Sequence, residues 1–492
     1  MNGIKTPSKA SWTSSLGRCF EIDLRALAWL RIAIGAILLY DLVGRVRDYQ
    51  ALYSDGGVLS RTLAISQLGR LTGISLHLIS GEIWFQAGLF LIAFAAACCM
   101  VVGYKTRAAT VVSWILFVSI CSRNARVMNA GDALMHTMLL WSCFLPLGAR
   151  HSLDAVKGPA RFSSLLSSAS AGSVSSVASA ATLIQIACIY FATSVLKTGE
   201  AWKDGTALYY ALNVDQFTTP IGKALLQYPG FLSALTHSTI LLEFFGPFLL
   251  LWPLKKKFIR TAMVACFVSL HIGIMLTMRL GFLPILDIAV LMLFLPREIW
   301  DLFYRKKPSI AIEPDPDPAG SGILKIVAQV TAGILLVYTL WWTLGTFNKA
   351  LRPPAAVWKT AASIKLNATW NMFSPQPSRR DGWFIMAADL DDGRTVDLLR
   401  RGDPVDWGKP KDAAAIFSNY RYRKYMMNLV RKGAPKPLLG SFVGYHEKVW
   451  GKKFSSQGVK IREIRLYFME ERTMPDYAPP KLRKRLIWTR KS

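Results

Sequence analysis

The chain has 492 residues, 52% of them hydrophobic and only 18% charged, with a mean hydropathy of +0.29. A soluble domain carries about a quarter charged residues, so this composition excludes an ordinary soluble enzyme for most of the chain, and equally a disordered or fibrous protein. The formal net charge of +28 has the size of a nucleic-acid footprint, but its distribution along the chain points elsewhere.

Residues 1–23 are polar and carry no pattern of a cleavable signal peptide. Nine apolar segments follow, near 26–45, 81–102, 107–123, 130–148, 178–198, 231–252, 258–278, 280–297 and 322–345. Their length and hydropathy predict bilayer-spanning helices. The third, fourth and eighth are short or interrupted by polar residues. Ser-rich 163–179 and Pro/Asp-rich 307–321 read as loops. Basic residues such as Lys105, Arg107, Arg150, Lys256 and Lys257 crowd the loops on one side, which predicts a cytoplasmic N-terminus. An odd number of spans then puts the C-terminal part outside, which is the periplasm in a bacterium and a lumen in a eukaryote.

Residues 347–492 differ in composition and hold 30 Lys/Arg against 13 Asp/Glu. Two strand patterns flank Asp391-Asp392-Gly393, a hairpin signal. IFSNYRYRKYMMNLVRK reads as a basic amphipathic helix and VKIREIRLYFME as a half-buried strand. The expected fold is an all-α polytopic membrane helix bundle of about nine transmembrane helices with a small C-terminal α+β extramembrane domain. Its divisions are an N-terminal segment 1–23, a transmembrane domain 24–300, a linker and last helix 301–346, and the basic domain 347–492. A domain outside the membrane does not meet nucleic acid, so its charge favours anionic headgroups or an acidic, glutamate-rich peptide. The seven cysteines lie in or near apolar segments without metal-ligand spacing, which predicts neither a disulfide framework nor a metal site.

Ionisable groups within spans are costly and mark cavities or partners. Here they include Arg31, Asp41, Asp132, His136, Lys197, His237, Glu243, His271 and Asp287. Asn129, Asp132 and His136 fall at i, i+3 and i+7 on one helical face, as a polar site or as interhelical hydrogen-bond glue. Lys197 ends an apolar span. It either snorkels to the interface or, desolvated, loses its proton readily and acts as a base; Glu200 three residues on would oppose that. His271, Met275 and Arg279 share a second face. Asp55-Gly56-Gly57 reads as a tight polar turn. Phosphate-binding glycine loops, HExxH, GxSxG and internal repeats are absent from the sequence.

Five stretches are familiar together: RIAIGAILLYDLVGRVRDYQALYSDGGVLSR, GYKTRAATVVSWILFVSICSRN, NAGDALMHTMLLWSCFLPLGARHSLDA, YFATSVLKTGEAWKDGTALYYALNVDQF and HIGIMLTMRLGFLPILDIAVLMLFLP. They resemble the HTTM (horizontally transferred transmembrane) domain, the membrane part of vitamin K-dependent γ-carboxylases, over residues 20–300. WNMFSPQPSRRDGWF and YRYRKYMMNL resemble the tail of bacterial members, which implies a bacterial inner membrane. The resemblance implies a reduced quinone of the vitamin K or menaquinol type, oxidised by O2 to an epoxide, with CO2 added to a peptide glutamate. It makes Lys197, Glu200, Trp202 and Gly205 the motif of the initiating base, with Lys197 as that base. His136 or His271 would polarise an oxygen or hold the quinol, and Asn129, Asp132, Glu200, Trp202 and Arg279 would line its site. The chain departs from the family at LGARHSLDA, where His151 is displaced, and in a smaller tail with no propeptide-binding region. Quinol oxidation without carboxylation is therefore open, as is a non-enzymatic role in peptide maturation, export or immunity through the C-terminal domain.

Overall fold

The computed structural model describes residues 19–68, 75–157, 169–170, 172–253, 256–304, 321–414, 416–431 and 435–491. Residues 1–18, 163–168, 171 and 305–320, and with them most of the predicted loop 307–321, lie outside the described residues. The Ser-rich stretch departs from the predicted loop: Ser173–Val174 pairs as a strand with Ile22–Asp23, and a helix begins at Val177. Nine main helices build the first part: α1 (Leu24–Val46), α2 (Ile83–Val102), α3 (Thr106–Arg123), α4 (Ala130–Ser142), α5 (Val177–Val195), α6 (Pro229–Leu250), α7 (Lys256–Thr277), α8 (Leu283–Leu291) and α9 (Ser321–Phe347). Local chemistry sets their ends. Asp23 accepts a hydrogen bond from the Arg25 amide and caps α1. Asn129 with Asp132, and Ser176 with Ser179, form capping boxes on α4 and α5. Gly103, at φ +72°, ends α2 where a side chain would strike Arg31.

Six of these helices are long and apolar enough to cross a membrane: α1, α2, α5, α6, α7 and α9. The other three predicted spans are helical but shorter or less apolar. The fourth stops at Ser142, ahead of the turn at Pro146. The eighth shrinks to nine residues between Gly281, at φ +69°, and a 3-10 turn over Met292–Phe294 that leads into Pro296. α1 and α5 are mostly interior, whereas α2, α6, α7 and α9 keep most of their apolar surface exposed, including Trp84, Leu91, Phe248, Val330 and Ile334. Apolar faces that extensive are compatible with a multi-pass membrane protein.

α1 packs on α2 and α8, α5 on α6 and α9, and α7 on α6 and α8, while α3 and α4 fill the space between. Through Asp48–Asn419, Val127–Arg421, Trp202–Phe373 and Arg279–Arg423 hydrogen bonds, the segments that follow α1, α3, α5 and α7 share one neighbour, the C-terminal domain. Its five-stranded antiparallel sheet contains β1 (Arg380–Leu390), β2 (Thr395–Asp397), β3 (Asp403–Pro404), β4 (Ile461–Arg472) and β5 (Lys481–Lys491), in the order β3-β2-β1-β4-β5. The predicted hairpin is present: Ala387 faces Asp397, and Gly393 turns at φ +87°. The predicted basic helix is α10 (Tyr420–Val430), followed by α11 (Lys436–Ser455). Central β1 is covered on both faces. Phe384, Met386 and Ala388 join the core shared with α10 and α11, while Trp383, Ile385 and Ala387 pack with Val405, Tyr467 and Met469.

Candidate functional site

Two buried polar clusters lie inside the helices. In the first, α5 ends at Val195 and the chain turns, leaving Lys197 8% exposed and ion-paired with Glu243 of α6. The Lys197 ammonium also lies 4.6 Å from the centre of the Trp202 ring, a favourable cation–π arrangement. Trp202 is fixed in turn, donating its indole N–H to the Phe373 carbonyl at 3.0 Å. Gly199 donates to the Pro375 carbonyl at 2.9 Å, and any side chain there would meet Gln376. Gly205 turns at φ +79° against Ser233. The KTGEAWKDG motif thus brings Lys197 and Trp202 together and seats both beneath the 371–376 segment.

One helical face of α5 continues the cluster. Two turns before Lys197, the Tyr190 hydroxyl lies 2.8 Å from His271 Nε2 on α7. His271 Nδ1 stands 3.5 Å from Asp287 Oδ2 on α8. That is long for a hydrogen bond, and both atoms are buried without a hydrogen-bond partner among the described residues. Glu243 is within electrostatic reach of both Tyr190 and Asp287. The assembled set is a primary amine, two carboxylates, an imidazole and a phenol, closed in by Trp202 and Phe267, whose ring centre lies 4.3 Å from that of Tyr190. It offers proton donors and acceptors in an apolar surround with two polar atoms unclaimed.

The second cluster is a clasp between the bundle and the C-terminal domain. Arg421 of α10 bonds Asp41 of α1 at 2.5 and 2.9 Å and Asp132 of α4 at 2.8 and 3.1 Å. Arg45 bonds the same two carboxylates at 2.7 and 3.1 Å, and the Tyr420 hydroxyl donates to Asp41 at 2.8 Å. All four charged residues are 2% exposed or less. Two guanidinium groups balance two carboxylates, which is how such charges are tolerated in a low-dielectric interior.

These two clusters redistribute the predicted site residues. Lys197, Trp202 and His271 belong to the first. Asp132 does not; it is occupied in the clasp and in capping α4. Asn129 accepts from the Gly131 and Asp132 amides as the N-cap. His136 is buried beside Thr137, 3.4 Å away, and makes no hydrogen bond or ion pair with Lys197 among the described residues. Glu200 is exposed at the start of a short helix, and Glu243 takes the role expected of it. Arg279 leaves the His271 face, because α7 ends at Thr277; it is exposed and pairs with Asp412 at 3.1 Å. The 53–61 turn is structural: Asp55 accepts from the Arg61 amide and side chain, and Val58 O accepts from Tyr425 and Ser441. Sequence reasoning missed the roles of Tyr190, Glu243 and Asp287. Seven-residue spacing to Lys197 and carboxylates inside apolar runs were the available signals.

A cavity of about 590 Å3 lies where α10 and the sheet meet the bundle. Phe373, which holds Trp202, lines it, so it adjoins the Lys197 cluster. Arg423 donates to the Gln216 carbonyl and, at 3.0 Å, to that of Arg279. Burial, and then the Arg279 charge, push the Arg423 guanidinium down to about 10. Behind it Gln216 donates to Asp381, which is 3% exposed. Burial pushes the Asp381 carboxyl up to about 6 despite hydrogen bonds from Gly382 and Gln216. A folded pKa above the ordinary 3.8 means that the stability contributed is full below that value and is lost as pH rises through 6. Asp381→Asn is therefore expected to flatten the decline in thermal stability between about pH 4 and pH 7. The gain at pH 8 is at most about 3 kcal/mol, at about 1.4 kcal/mol per unit. Melting curves of the purified full chain check this, and equal slopes for the two proteins would contradict it.

The fold and clusters define a helical protein with six helices able to span a membrane, a C-terminal sheet domain clasped to one end, and a buried Lys/Glu/His/Asp/Tyr cluster near that end. No known family, curated protein or solved structure matches this chain.

Proposed function

We propose that the protein is a multi-pass membrane enzyme similar to the vitamin K-dependent γ-carboxylases, in which Lys197 is the base that takes a proton from a reduced quinone. The observation that carries this reading is the burial of Lys197 against Glu243 and Trp202, two helical turns from the Tyr190–His271–Asp287 set. The donor set fits a quinol: His271 Nδ1 and Asp287 Oδ2 are buried without a hydrogen-bond partner among the described residues, and the walls are aromatic. A quinol bound there would supply the electrons that reduce O2. The chain's residues do the rest. In a buried ion pair the proton can pass from the ammonium to the carboxylate at small cost, because the neutral pair avoids desolvation. Glu243 thereby frees the Lys197 amine to accept a hydroxyl proton. Tyr190 and His271 orient the second polar end, and Trp202 excludes water from the ammonium. Carboxylation of a peptide glutamate with CO2 belongs to the same proposal.

The topology follows the same reading. We take all nine helices as crossings, because α4 and α8 are interior and α3 is half so, and a helix sheltered by protein need not match the lipid thickness. The basic loops then put the N-terminus in the cytoplasm and the clasped domain outside the bacterial inner membrane, with Lys197 at the outer face. The test is turnover. Purified wild-type chain in lipid vesicles, given a reduced naphthoquinone and O2, is expected to yield the epoxide, read by mass spectrometry. Lys197→Ala is expected to lower the rate by about 10²–10⁴-fold, the usual span for a general base. Absence of any epoxide with the wild type would overturn the enzyme reading. It would leave the C-terminal domain as a binding module for a peptide being matured or exported.

A further inference from the structure

The 590 Å3 cavity holds more positive charge than its surroundings answer. Arg423, Lys424 and Arg431 project from α10 and its C-cap, with Arg380 and Arg485 on the opposite wall. The lining contains one carboxylate, Glu470, and it is already shared by Arg485 at 2.6 Å and Arg380 at 3.8 Å. Arg423 is satisfied by backbone carbonyls alone. Lys424 and Arg431 are exposed and have no hydrogen-bond or ion-pair partner among the described residues. Like charges gathered this way repel one another unless an anion lies between them.

Beside uncharged polar groups such as Gln216 and Tyr420, the lining offers an apolar wall of Val214, Phe217, Leu280, Leu283, Met372 and Met427. A second cleft of about 400 Å3 shares Leu280, Tyr420 and Arg423 with the first, and runs out to Tyr40, Met275 and Ile285. Those three are exposed on α1, α7 and α8, the apolar outside of the bundle. Cationic interior and apolar exit together match an amphiphile. We propose that the cavity binds the phosphate of an anionic phospholipid between Arg423, Lys424 and Arg431, with its acyl chains leaving through the adjoining cleft. Gln216 Oε1, buried and without a partner among the described residues, stands beside it as an acceptor for a headgroup hydroxyl. This proposal rests on the membrane reading but not on quinol chemistry. The bound lipid would tie the C-terminal domain to the bilayer beside the Phe373–Trp202 contact.

The experiment uses full-length protein in detergent, titrated with phosphatidylglycerol or phosphatidylcholine and followed by native mass spectrometry. Wild type is expected to prefer phosphatidylglycerol. The double variant Lys424→Gln/Arg431→Gln removes two charges that support no internal contact, so its folding is expected to be unchanged. With about 1 kcal/mol per basic residue against an anionic headgroup, its affinity is expected to fall about 30-fold, which is about 2 kcal/mol. Lys481→Gln/Arg483→Gln, exposed on β5, is expected to bind like wild type. Equal binding of the two lipids, or a double variant that binds like wild type, overturns the proposal. Glycerol 3-phosphate bound as tightly as the lipid would make this a site for soluble phosphate esters. A polyglutamate peptide bound in its place would make it a peptide site. Either result rejects the lipid. Lys197→Ala is expected to keep full phosphatidylglycerol binding, so loss of the quinol reading leaves this result standing. Release of the chain from membranes by carbonate would instead remove the membrane reading itself.

Discussion

Arg421→Ala is expected to release the C-terminal domain from the bundle and to cost about 3–5 kcal/mol, the range for removing one member of a buried ion-pair network. Arg421 supplies four of the hydrogen bonds to Asp41 and Asp132, and its loss leaves two buried carboxylates to one guanidinium, Arg45. Neither carboxylate can reach water where it stands, since both are 2% exposed or less. Neighbouring contacts do not replace the charge. Tyr425 and Asn428 bond backbone carbonyls of Val58 and Arg126, and Asn419 bonds Asp48, all at the edge of the same interface. Arg421→Lys keeps the charge but not the planar fork that meets two carboxylates at once, and is expected to lose less. Asp41→Asn/Arg421→Met restores one acid to one base and is expected to recover part of the loss. Thermal unfolding and protease sensitivity of the sheet domain read these effects. Wild-type behaviour of Arg421→Ala in both would show that the clasp does not hold the domains together.

The sequence made the long helices legible because a bilayer-length apolar run survives any detail of packing, and α1, α2, α5, α6, α7 and α9 all appear where hydropathy put them. It made α4 and α8 longer than they are, because interior segments stay apolar beyond the helix ends, through Pro146 and across Gly281. The hairpin at Gly393 and strand β4 were readable from alternation and turn chemistry, which are local. The site was only half legible. Lys197 and Trp202 sit in one contiguous motif, but Glu243 is 46 residues away from Lys197, and only the packing of α5 on α6 reveals it as the partner. Glu200 looked equivalent because it lies three residues after Lys197, but it opens a separate short helix and is exposed. Asp132 seemed to share a polar stripe with His136; the stripe is real, but a guanidinium from 289 residues further on takes the carboxylate. Arg421 itself was hidden in YRYRK, since which of several basic residues is buried depends on docking rather than on pattern.

The Lys197–Glu243 pair is expected to separate stability from chemistry when its members are removed singly and together. Lys197→Ala leaves Glu243 buried against apolar neighbours, and Glu243→Gln leaves an ammonium with only the Trp202 face to stabilise it. Each single change is expected to destabilise, by up to the 3–5 kcal/mol seen for broken buried pairs, less whatever is recovered as the stranded group gives up its charge. The double variant Lys197→Met/Glu243→Leu removes both charges and keeps the volume, so its melting temperature is expected to return close to wild type, since well-packed apolar replacements of buried ion pairs are neutral or stabilising. Its quinol turnover is not expected to return, because the Lys197 amine is gone and His271 lies on another helix, engaged with Tyr190. A general base accounts for about 10²–10⁴ in rate, and that loss would persist in a fully folded protein. Trp202→Phe adds an independent check, keeping a ring for the cation while deleting the indole N–H that ties it to Phe373, so a moderate loss of turnover without loss of fold is expected. Were the pair merely interhelical glue, the double variant would recover turnover along with stability, and Lys197 would have no claim to the proton.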